Sequence, residues 1–288
     1  MSWDEGLKSS QSQPWLVGEK LLGQTEPLIM GVLNVTPDSF FDGGMHNSPE
    51  RALAHAQEMA LQGADLLDVG AESTRPGSPS ISAEEEISRL KTIFPLLKKN
   101  LTIPLSIDTS KASVAQWAVQ EGATVVNDIS GLTKDPAMIE LIAQSGVSVV
   151  INHIQGTPAD MQESPHYQEV LKEVADFLSA QANRLVQAGV NSSKIAIDPG
   201  IGFGKTKEHN YALIKYCEEL VSLGFPVLLG PSRKSFIGQT QGLENSDRLH
   251  PTTAVCLLAA LKGVKILRVH DVYPVKEELL QIGAILSQ

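Results

Sequence analysis

Two carboxylates and an amide, Asp108, Asn127 and Asp198, each follow directly on a short apolar run of the sequence. If those runs are strands of one sheet, the three side chains converge on one pocket. Their oxygens could accept hydrogen bonds from a planar array of N–H groups, such as an amino-pyrimidinone edge. A single Asp after a strand is more often a helix N-cap, but three matching positions favour a binding site. Paired acid–base catalysis, as in a glycosidase, is a weaker alternative because Asn127 cannot titrate.

Basic side chains follow the last two apolar runs. Lys234 lies in a Ser-Arg-Lys-Ser segment, and Arg268 and His270 lie at the end of the chain's last run. Residues two apart share one face of an extended strand. Arg268 and His270 could therefore bind one anion, with the Arg fork suited to phosphate.

The basic residues also have plainer interpretations. Arg268 could form a surface ion pair with Asp271, and Arg233 and Lys234 could be solvated charges. We accept the solvated charge for Arg233. For Arg268 and Lys234 we favour the anion and ligand site, because strands seven and eight of α/β barrels commonly build a phosphate site.

A metal could accompany a bound diphosphate. Asn34 follows the first apolar run, and Mg²⁺ takes few protein ligands and keeps several waters. Asn34 is therefore our candidate Mg²⁺ ligand. The histidines lack the spacing of a zinc amidohydrolase site.

Residues 198–206 resemble a nucleotide-binding loop but lack its first glycine, which is replaced by Pro199. Asp198 would also repel a phosphate. We interpret the glycines as allowing the backbone to pass close to a planar ligand, with Phe203 as a wall of the pocket.

The elements that must position these residues follow from the apolar runs. Runs this rich in β-branched residues and leucine suit strands that are buried on both faces of a parallel sheet. Amphipathic helical stretches alternate with them, which predicts a closed (β/α)8 TIM barrel, with a doubly wound open sheet as the alternative. The predicted strands are 28–33, 65–69, 103–107, 124–126, 147–151, 194–197, 226–229 and 266–267.

Capping residues and glycines delimit the predicted helices. The first opens with Ser48 and Pro49, and a capping box of Ser82 and Glu85 opens the second. The predicted helices are 48–62, 82–97, 110–121, 135–145, 167–188, 208–223, 252–261 and 275–287.

Other segments have their own predictions. The long loops 35–47 and 72–81 are candidate lids on the carboxyl-terminal rim, and residues 15–22 could form a hairpin that covers the barrel floor. We expect residues 1–13 to be disordered and residues 14–288 to form a single domain.

Composition bounds the class of protein. The chain has 288 residues, of which 42% are hydrophobic, and a net charge of −10. The negative charge argues against a nucleic-acid or anionic-membrane partner. No apolar run approaches the roughly 18 residues of a membrane span, and we find no signal peptide. Cys217 and Cys256 are predicted to be buried thiols, so we expect a cytoplasmic protein.

These segments resemble dihydropteroate synthase, of the pterin-binding family. The similarity extends from Met30 to Asp271 in the family's order. The matching segments are 30–40 (Met-Gly-Val-Leu-Asn-Val-Thr-Pro-Asp-Ser-Phe), 68–77 (Asp-Val-Gly-Ala-Glu-Ser-Thr-Arg-Pro-Gly), 107–111 (Ile-Asp-Thr-Ser-Lys), 126–129 (Val-Asn-Asp-Ile), 198–205 (Asp-Pro-Gly-Ile-Gly-Phe-Gly-Lys), 232–235 (Ser-Arg-Lys-Ser) and 268–271 (Arg-Val-His-Asp).

The resemblance implies a transferase of folate biosynthesis that acts as a homodimer. Para-aminobenzoate would displace pyrophosphate from 6-hydroxymethyl-7,8-dihydropterin pyrophosphate and give 7,8-dihydropteroate. Mg²⁺, Arg268 and His270 would stabilise the leaving group, and the first loop, with Thr36, Pro37 and Asp38, would exclude water. Arg268, Lys234 and Asp108 are our candidate catalytic residues.

The resemblance also implies a role for each site residue. Those that match the family's pterin-binding residues are Asp108, Asn127, Asp198 and Lys234. Asn34 would bind Mg²⁺, Arg268 and His270 would meet the pyrophosphate, and Thr74, Arg75, Pro76 and Ser235 would form the aminobenzoate site. Asn152 departs from the family pattern, which usually has a methionine lining the pterin pocket; an amide makes that wall hydrogen-bonding.

Two other functions stay open at this point. A methyltransferase of the same barrel family uses methyltetrahydrofolate and a corrinoid protein; the 73–77 and 232–235 segments favour the synthase instead. A degenerate homologue kept as a binding subunit is the non-enzymatic alternative, and the intact set of polar residues argues against it.

Overall fold

A computed structural model describes residues 13–36, 49–239 and 248–287. In these residues eight parallel strands form one sheet, and a separate antiparallel hairpin precedes it. The hairpin strands are β1 (Trp15–Val17) and β2 (Lys20–Leu22). The strands of the larger sheet are β3 (Leu28–Asn34), β4 (Leu66–Gly70), β5 (Leu105–Asp108), β6 (Val125–Asp128), β7 (Ser148–Asn152), β8 (Ile195–Asp198), β9 (Leu228–Leu229) and β10 (Ile266–Val269).

The strands follow one another around a ring in chain order. Neighbouring strands pair from β3 through to β8, and β10 pairs with both β3 and β9. The ring closes where β8 meets the chain just before β9. There Ile197 and Val227 form a bridge, and the Ile197 N–H donates to the Pro226 carbonyl at 2.9 Å. The predicted barrel is confirmed, and the alternative of an open doubly wound sheet is wrong.

Helices alternate with the strands and pack on the outside of the ring. In the described residues they are α1 (Pro49–Leu61), α2 (Ala83–Lys91), α3 (Phe94–Asn100), α4 (Ala112–Gln120), α5 (Ala137–Ser145), α6 (Val170–Gln187), α7 (Lys207–Lys215), α8 (Cys217–Val221), α9 (Ser235–Gln239), α10 (Leu249–Leu261) and α11 (Val272–Leu286).

Two predicted helices are each two helices in the structure. The helix predicted at 82–97 ends with α2, and α3 starts anew with a proline in its first turn. In a continuous helix Pro95 would have no N–H to donate to the Lys91 carbonyl, and its ring would clash with that carbonyl. The helix predicted at 208–223 breaks at Tyr216, whose φ of −115° and ψ of 27° leave the helical region. The Ser82 cap is present, but Glu85 pairs with Arg89 and does not complete the capping box.

The hairpin covers the floor of the barrel, as predicted. Trp15 is fully buried, and its Nε1 donates to the Lys194 carbonyl at 3.0 Å, next to the start of β8. The Ser148 hydroxyl, at the start of β7, donates to the Leu16 carbonyl at 2.6 Å. Trp15 continues the apolar filling of the ring, which includes Met30, Leu66, Val125, Val150, Ala196, Leu228 and Ile266.

Some predictions fall on residues that the structure does not describe. They concern the lid 35–47 beyond Thr36, with Pro37 and Asp38, the Ser48 cap, and the disorder of residues 1–13, of which only Gln13 is described. The single domain 14–288 stays a prediction. Cys217 and Cys256 are free and buried, as predicted. Among the described helices, none is long and apolar enough to cross a membrane.

Candidate active site

The predicted site residues lie at the carboxyl ends of the barrel strands. Asp108 ends β5, Asn127 is the third residue of β6, and Asp198 ends β8. All three are buried, while Arg268, in β10, keeps 17% of its side chain exposed. The parallel strands therefore bring residues from four parts of the chain to one rim, where α/β barrels place their active sites.

Arg268 is held between two carboxylates. Its Nε donates to Asp68 Oδ2 at 2.7 Å, and its Nη2 donates to Asp108 Oδ2 at 2.8 Å. The surface pair with Asp271 is therefore wrong for Arg268; it is Arg233 that pairs with Asp271, at 2.5 Å. A guanidinium between two buried carboxylates has a fixed direction, which suits it to bind a further anion.

Asp68 is a site residue that the sequence analysis missed. It is fully buried in the middle of β4 and contacts Arg268 and also Asn127, whose Nδ2 donates to Asp68 Oδ2 at 2.8 Å. Leu66, two residues earlier, faces the barrel interior, so the alternation of a strand turns Asp68 inward as well. The sequence signal that could have identified it is an acid in the middle of a strand whose other residues are apolar.

Two oxygens of this network lack a donor. Asp68 Oδ1 and Asn127 Oδ1 are buried and accept no hydrogen bond from the residues that the structure describes. Such groups are rare in folded proteins because they lose hydration without compensation. Beside Arg268 they remain as two acceptors that an N–H donor could satisfy.

Burial shifts the titration of the carboxyls. It raises the pKa of Asp108 to about 7; the charge of Asp68 adds to the rise and Arg268 opposes it. Burial also raises the pKa of Asp198 to about 6, against the hydrogen bond from the Gly200 N–H at 2.7 Å and the charge of Lys234. Both groups therefore change charge close to neutral pH.

The loop after β8 carries an aromatic wall and approaches β7 closely. Lys234 Nζ lies 4.1 Å from the centre of the Phe203 ring. Burial, with Arg268 adding to it, lowers the pKa of Lys234 to about 8. Gly200 has a φ of +70°, and a Cβ there would lie 1.8 Å from the His153 carbonyl oxygen, so only glycine fits. Phe203 and Lys234 therefore face each other beside Asp198, as a wall and a cation.

Lys205 does not project as the lysine of a phosphate loop does. It is buried, and its Nζ contacts His153 Nδ1 at 3.0 Å and the Phe203 carbonyl at 3.0 Å. Burial lowers its pKa to about 7. The rejection of a nucleotide-binding loop agrees with this geometry.

His270 stands on the Arg268 side of the rim. Its Nδ1 lies 3.0 Å from the Ser232 hydroxyl. Burial, together with Arg268 and Arg233, lowers its pKa to about 3, so at neutral pH it is an uncharged imidazole. It can still donate one N–H to an anion.

Asn152 is buried, and its side-chain amide donates to the protein backbone. Its Nδ2 donates to the Ile129 carbonyl at 3.0 Å. The neighbouring His153 is held by Lys205 and by aromatic contact with Phe177. The amide at this position therefore links β7 to the loop after β6.

The remaining predicted residues lie on the rim but outside these contacts. Thr74 is half-buried, and Arg75, Pro76 and Ser235 are exposed. Asn34 ends β3 in register with Gly70. Among the described residues, none of these five has a hydrogen bond to the Arg268 network, and no group of three His, Cys, Asp or Glu side chains could hold a metal ion.

Comparisons with known proteins agree with this geometry. Residues 30–270 match the family model described as "Pterin binding enzyme". The dihydropteroate synthase of Escherichia coli strain K12 is 42% identical over 266 residues, which span 92% of this chain and 94% of the relative.

Solved structures give the same result. The dihydropteroate synthase of Xanthomonas albilineans with 4-aminobenzoic acid has a TM-score of 0.90 and 39% identity, and the match covers 96% of this chain and all of that one. The enzyme from the same organism in complex with 7,8-dihydropteroate has a TM-score of 0.86 and 38% identity, and covers 94% of this chain and 97% of that one.

The chain belongs to the family of pterin-binding enzymes. Within that family its matches over nearly the whole length are dihydropteroate synthases.

Proposed function

We propose that this protein is the transferase that joins 6-hydroxymethyl-7,8-dihydropterin pyrophosphate to para-aminobenzoate, forming 7,8-dihydropteroate and pyrophosphate in folate biosynthesis. The observation that carries the proposal is the pair of buried oxygens, Asp68 Oδ1 and Asn127 Oδ1, that lack a donor among the described residues. A pterin ring presents amino and ring N–H groups at one edge and would satisfy them.

The pterin would lie against the acids and the amide. Asp108, Asn127 and Asp198 supply oxygens for its N–H groups, while Lys234 Nζ can donate to ring acceptors. Phe203 forms a wall for the planar ring and keeps Lys234 in place through the ring–cation contact of 4.1 Å. The pocket thus matches a ring that has donors on one edge and acceptors beside it.

The diphosphate would lie at Arg268 and His270. The bonds to Asp68 and Asp108 use two of the five N–H donors of Arg268, so the others can meet a phosphate. The C–O bond to the diphosphate breaks with its electron pair going to oxygen, and Arg268 stabilises that charge. The amine nitrogen then bonds to the carbon and loses a proton, so no covalent nucleophile from the protein is needed.

Asn34 fits one ligand of a Mg²⁺ ion that arrives with the diphosphate. Its amide oxygen is the kind of donor that Mg²⁺ prefers, and the ion would complete its shell with phosphate oxygens and water. Bound there, Mg²⁺ would neutralise charge on the leaving group. Aminobenzoate would approach over Thr74, Arg75, Pro76 and Ser235.

A coupled assay tests the activity. Purified protein with both substrates should release one pyrophosphate for each 7,8-dihydropteroate formed, and neither substrate alone should give pyrophosphate. Methyl transfer from methyltetrahydrofolate to a corrinoid would instead favour the related methyltransferase. Pterin binding by calorimetry without product would favour a degenerate homologue.

We also propose a homodimer. Helix α10 is apolar on all sides, and its Leu258 is exposed. Helix α11 packs against α10 and exposes Leu280 and Ile285. A helix that is apolar all round is normally covered. Light scattering should give a dimer mass, and the Leu258→Glu, Ile285→Glu double variant should shift it toward the monomer.

The cytoplasm is the location that we propose. Cys217 and Cys256 are both free and buried, which agrees with a reducing compartment. Immunodetection in separated cell fractions would test it.

A further inference from the structure

A buried group of three charged side chains, Glu72, Glu86 and Lys111, lies at the base of the loop 72–81. None of the three has a role in the chemistry described above. Lys111 Nζ donates to Glu72 Oε2 and to Glu86 Oε2, both at 2.6 Å. Lys111 and Glu72 are each about 15% exposed, and Glu86 is fully buried. Glu86 belongs to α2 and Lys111 caps α4, so the group ties the start of the loop to two helices.

Glu72 also holds the far end of the loop. Its Oε1 accepts a hydrogen bond from the Ser80 hydroxyl at 2.8 Å and from the Ile81 N–H at 3.0 Å. One carboxylate therefore joins residues eight and nine positions apart and closes the loop at its base. Burial alone would raise the pKa of Glu72, but the hydrogen bonds from Lys111, Ile81 and Ser80 hold it below the usual value.

The upper part of the loop has its own contacts. The Ser73 and Ser78 hydroxyls lie 2.8 Å apart. The Gly77 N–H donates to the Pro158 carbonyl at 2.9 Å, which belongs to the loop after β7. The segment with Thr74, Arg75 and Pro76 thus stands between the charged base and the backbone contact to Pro158 at the tip of the loop.

We propose that Glu72 is a positioning residue for the amine substrate: its carboxylate closes the 72–81 loop on Lys111 and so sets the height of Thr74, Arg75 and Pro76 above the pterin pocket. The proposal rests on the proposed function. It concerns one substrate only, because Glu72 has no hydrogen bond to Asp108, Asn127, Asp198 or Arg268 among the described residues.

The decisive variant is Glu72→Ala. It leaves Lys111 paired with Glu86, so no unpaired charge is buried and the two helices stay joined. The loop loses the hydrogen bonds that Glu72 makes at both of its ends. We expect the KM for para-aminobenzoate to rise about tenfold or more, because small displacements of positioning groups cost catalysis steeply. The KM and the calorimetric Kd for the pterin substrate should stay within about twofold of wild type.

Further variants separate positioning from general damage. Lys111→Arg keeps the bridging charge and should leave the KM for aminobenzoate close to the wild-type value. Ser80→Ala removes one exposed hydrogen bond and should raise that KM about two- to threefold with no change in melting temperature. Glu84→Ala, which removes an exposed carboxylate from the same helix as Glu86, is the control and should leave both KM values unchanged.

Each result decides the proposal. An unchanged aminobenzoate KM in Glu72→Ala, or an equal rise in both KM values, overturns it. If Glu72→Ala fails to fold, an unchanged aminobenzoate KM in Ser80→Ala overturns it instead. Failure of the proposed function would be distinct, because wild-type protein would then form no dihydropteroate.

Discussion

The two ends of this barrel use buried polar groups in opposite ways. At the floor, the Trp15 indole and the Ser148 hydroxyl each donate to a backbone carbonyl, and the side chains around Trp15 are apolar. At the rim, Asp68 and Asn127 each bury an oxygen that has no donor among the described residues. The floor is complete without a ligand, whereas the rim is not.

The difference shows where the fold gives up stability. A buried unpartnered acceptor costs about 1–3 kcal/mol, and raised carboxyl pKa values report a similar desolvation of Asp108 and Asp198. The same strands lead from one end to the other, and the acids that bear this cost lie from the middle of a strand, at Asp68, to the strand ends, at Asp108 and Asp198. The rim is destabilised at positions where hydrogen bonds from a bound substrate can compensate for the lost hydration.

The largest effect on stability should come from the floor. Trp15→Ala removes a fully buried indole and its hydrogen bond to Lys194, and should lower the free energy of unfolding by about 3–5 kcal/mol. Urea denaturation measures this. Leu21→Ala, at an exposed position of the same hairpin, is the control and should change it by less than about 0.5 kcal/mol. A change in either KM at a temperature where the Trp15 variant is folded would contradict the division between the ends.

The largest effect on activity should come from Arg268→Ala at the rim. Loss of a preorganised donor to the leaving group should lower kcat about 100- to 1000-fold, measured as pyrophosphate release. The fold should survive, because Asp108, whose pKa is already about 7, can take up a proton. Arg233→Ala removes an exposed arginine that pairs with Asp271 and should keep most of the activity. Wild-type turnover in Arg268→Ala would remove Arg268 from the mechanism.

The rim should respond to pH. Below about pH 6 Asp198 is protonated and cannot accept two N–H donors as a carboxylate does. Bound donors stabilise the charged form, so the affinity for a pterin should rise with pH through about 6, where Asp198 ionises, and on through about 7, where Asp108 ionises. From Asp198 alone the gain between pH 5 and pH 7 is about tenfold, measurable by calorimetry. Asp198→Asn should bind more weakly and lose this part of the pH dependence.

The same raised pKa values act with the opposite sign on folding. The folded protein holds protons on Asp108 and Asp198 that the unfolded chain releases near pH 4. Their contribution to stability is therefore present below about pH 4 and is lost as the pH rises through 6 to 7. Asp198→Asn should flatten that part of the stability curve, whereas Trp15→Ala should displace the curve without changing its slope.

The smallest effect on stability is expected from two fully buried serines, Ser148 and Ser106. Ser148 donates to the Leu16 carbonyl at the floor, whereas the Ser106 hydroxyl has no partner among the described residues. Ser148→Ala should cost about 1 kcal/mol of unfolding free energy, and Ser106→Ala should be neutral or slightly stabilising. Equal losses in chemical denaturation would mean that the floor bond contributes nothing specific.

Most of the fold could be predicted from the sequence because buried parallel strands are continuous apolar runs. All eight predicted strands are found, with their ends moved by up to two residues. The errors lie in the helices, where the sequence pattern continues across a break. A proline in the first turn of α3 was a readable signal, but the turn at Tyr216 had none.

The site was predicted less fully. Strand-end residues such as Asp108 and Asp198 were visible because a polar residue follows an apolar run. Asp68 was not singled out, because it lies inside such a run and its partner Arg268 is 200 residues away. The pairing of Arg233, and not Arg268, with Asp271 depends on side-chain direction around a turn, which spacing alone does not give.

The separation between Asp68 and Arg268 has a consequence for how the chain acquires its site. Strand β10 comes last among the barrel strands and pairs with β3, the first. Until it docks, Asp68 and Asp108 have no guanidinium between them, and contacts between such distant residues form slowly because of the entropy of closing a long loop. During refolding of a Trp3→Phe, Trp117→Phe variant, whose one remaining tryptophan is Trp15, fluorescence at the floor and the ability to bind a pterin therefore report on different events, and pterin binding marks the closure of the ring.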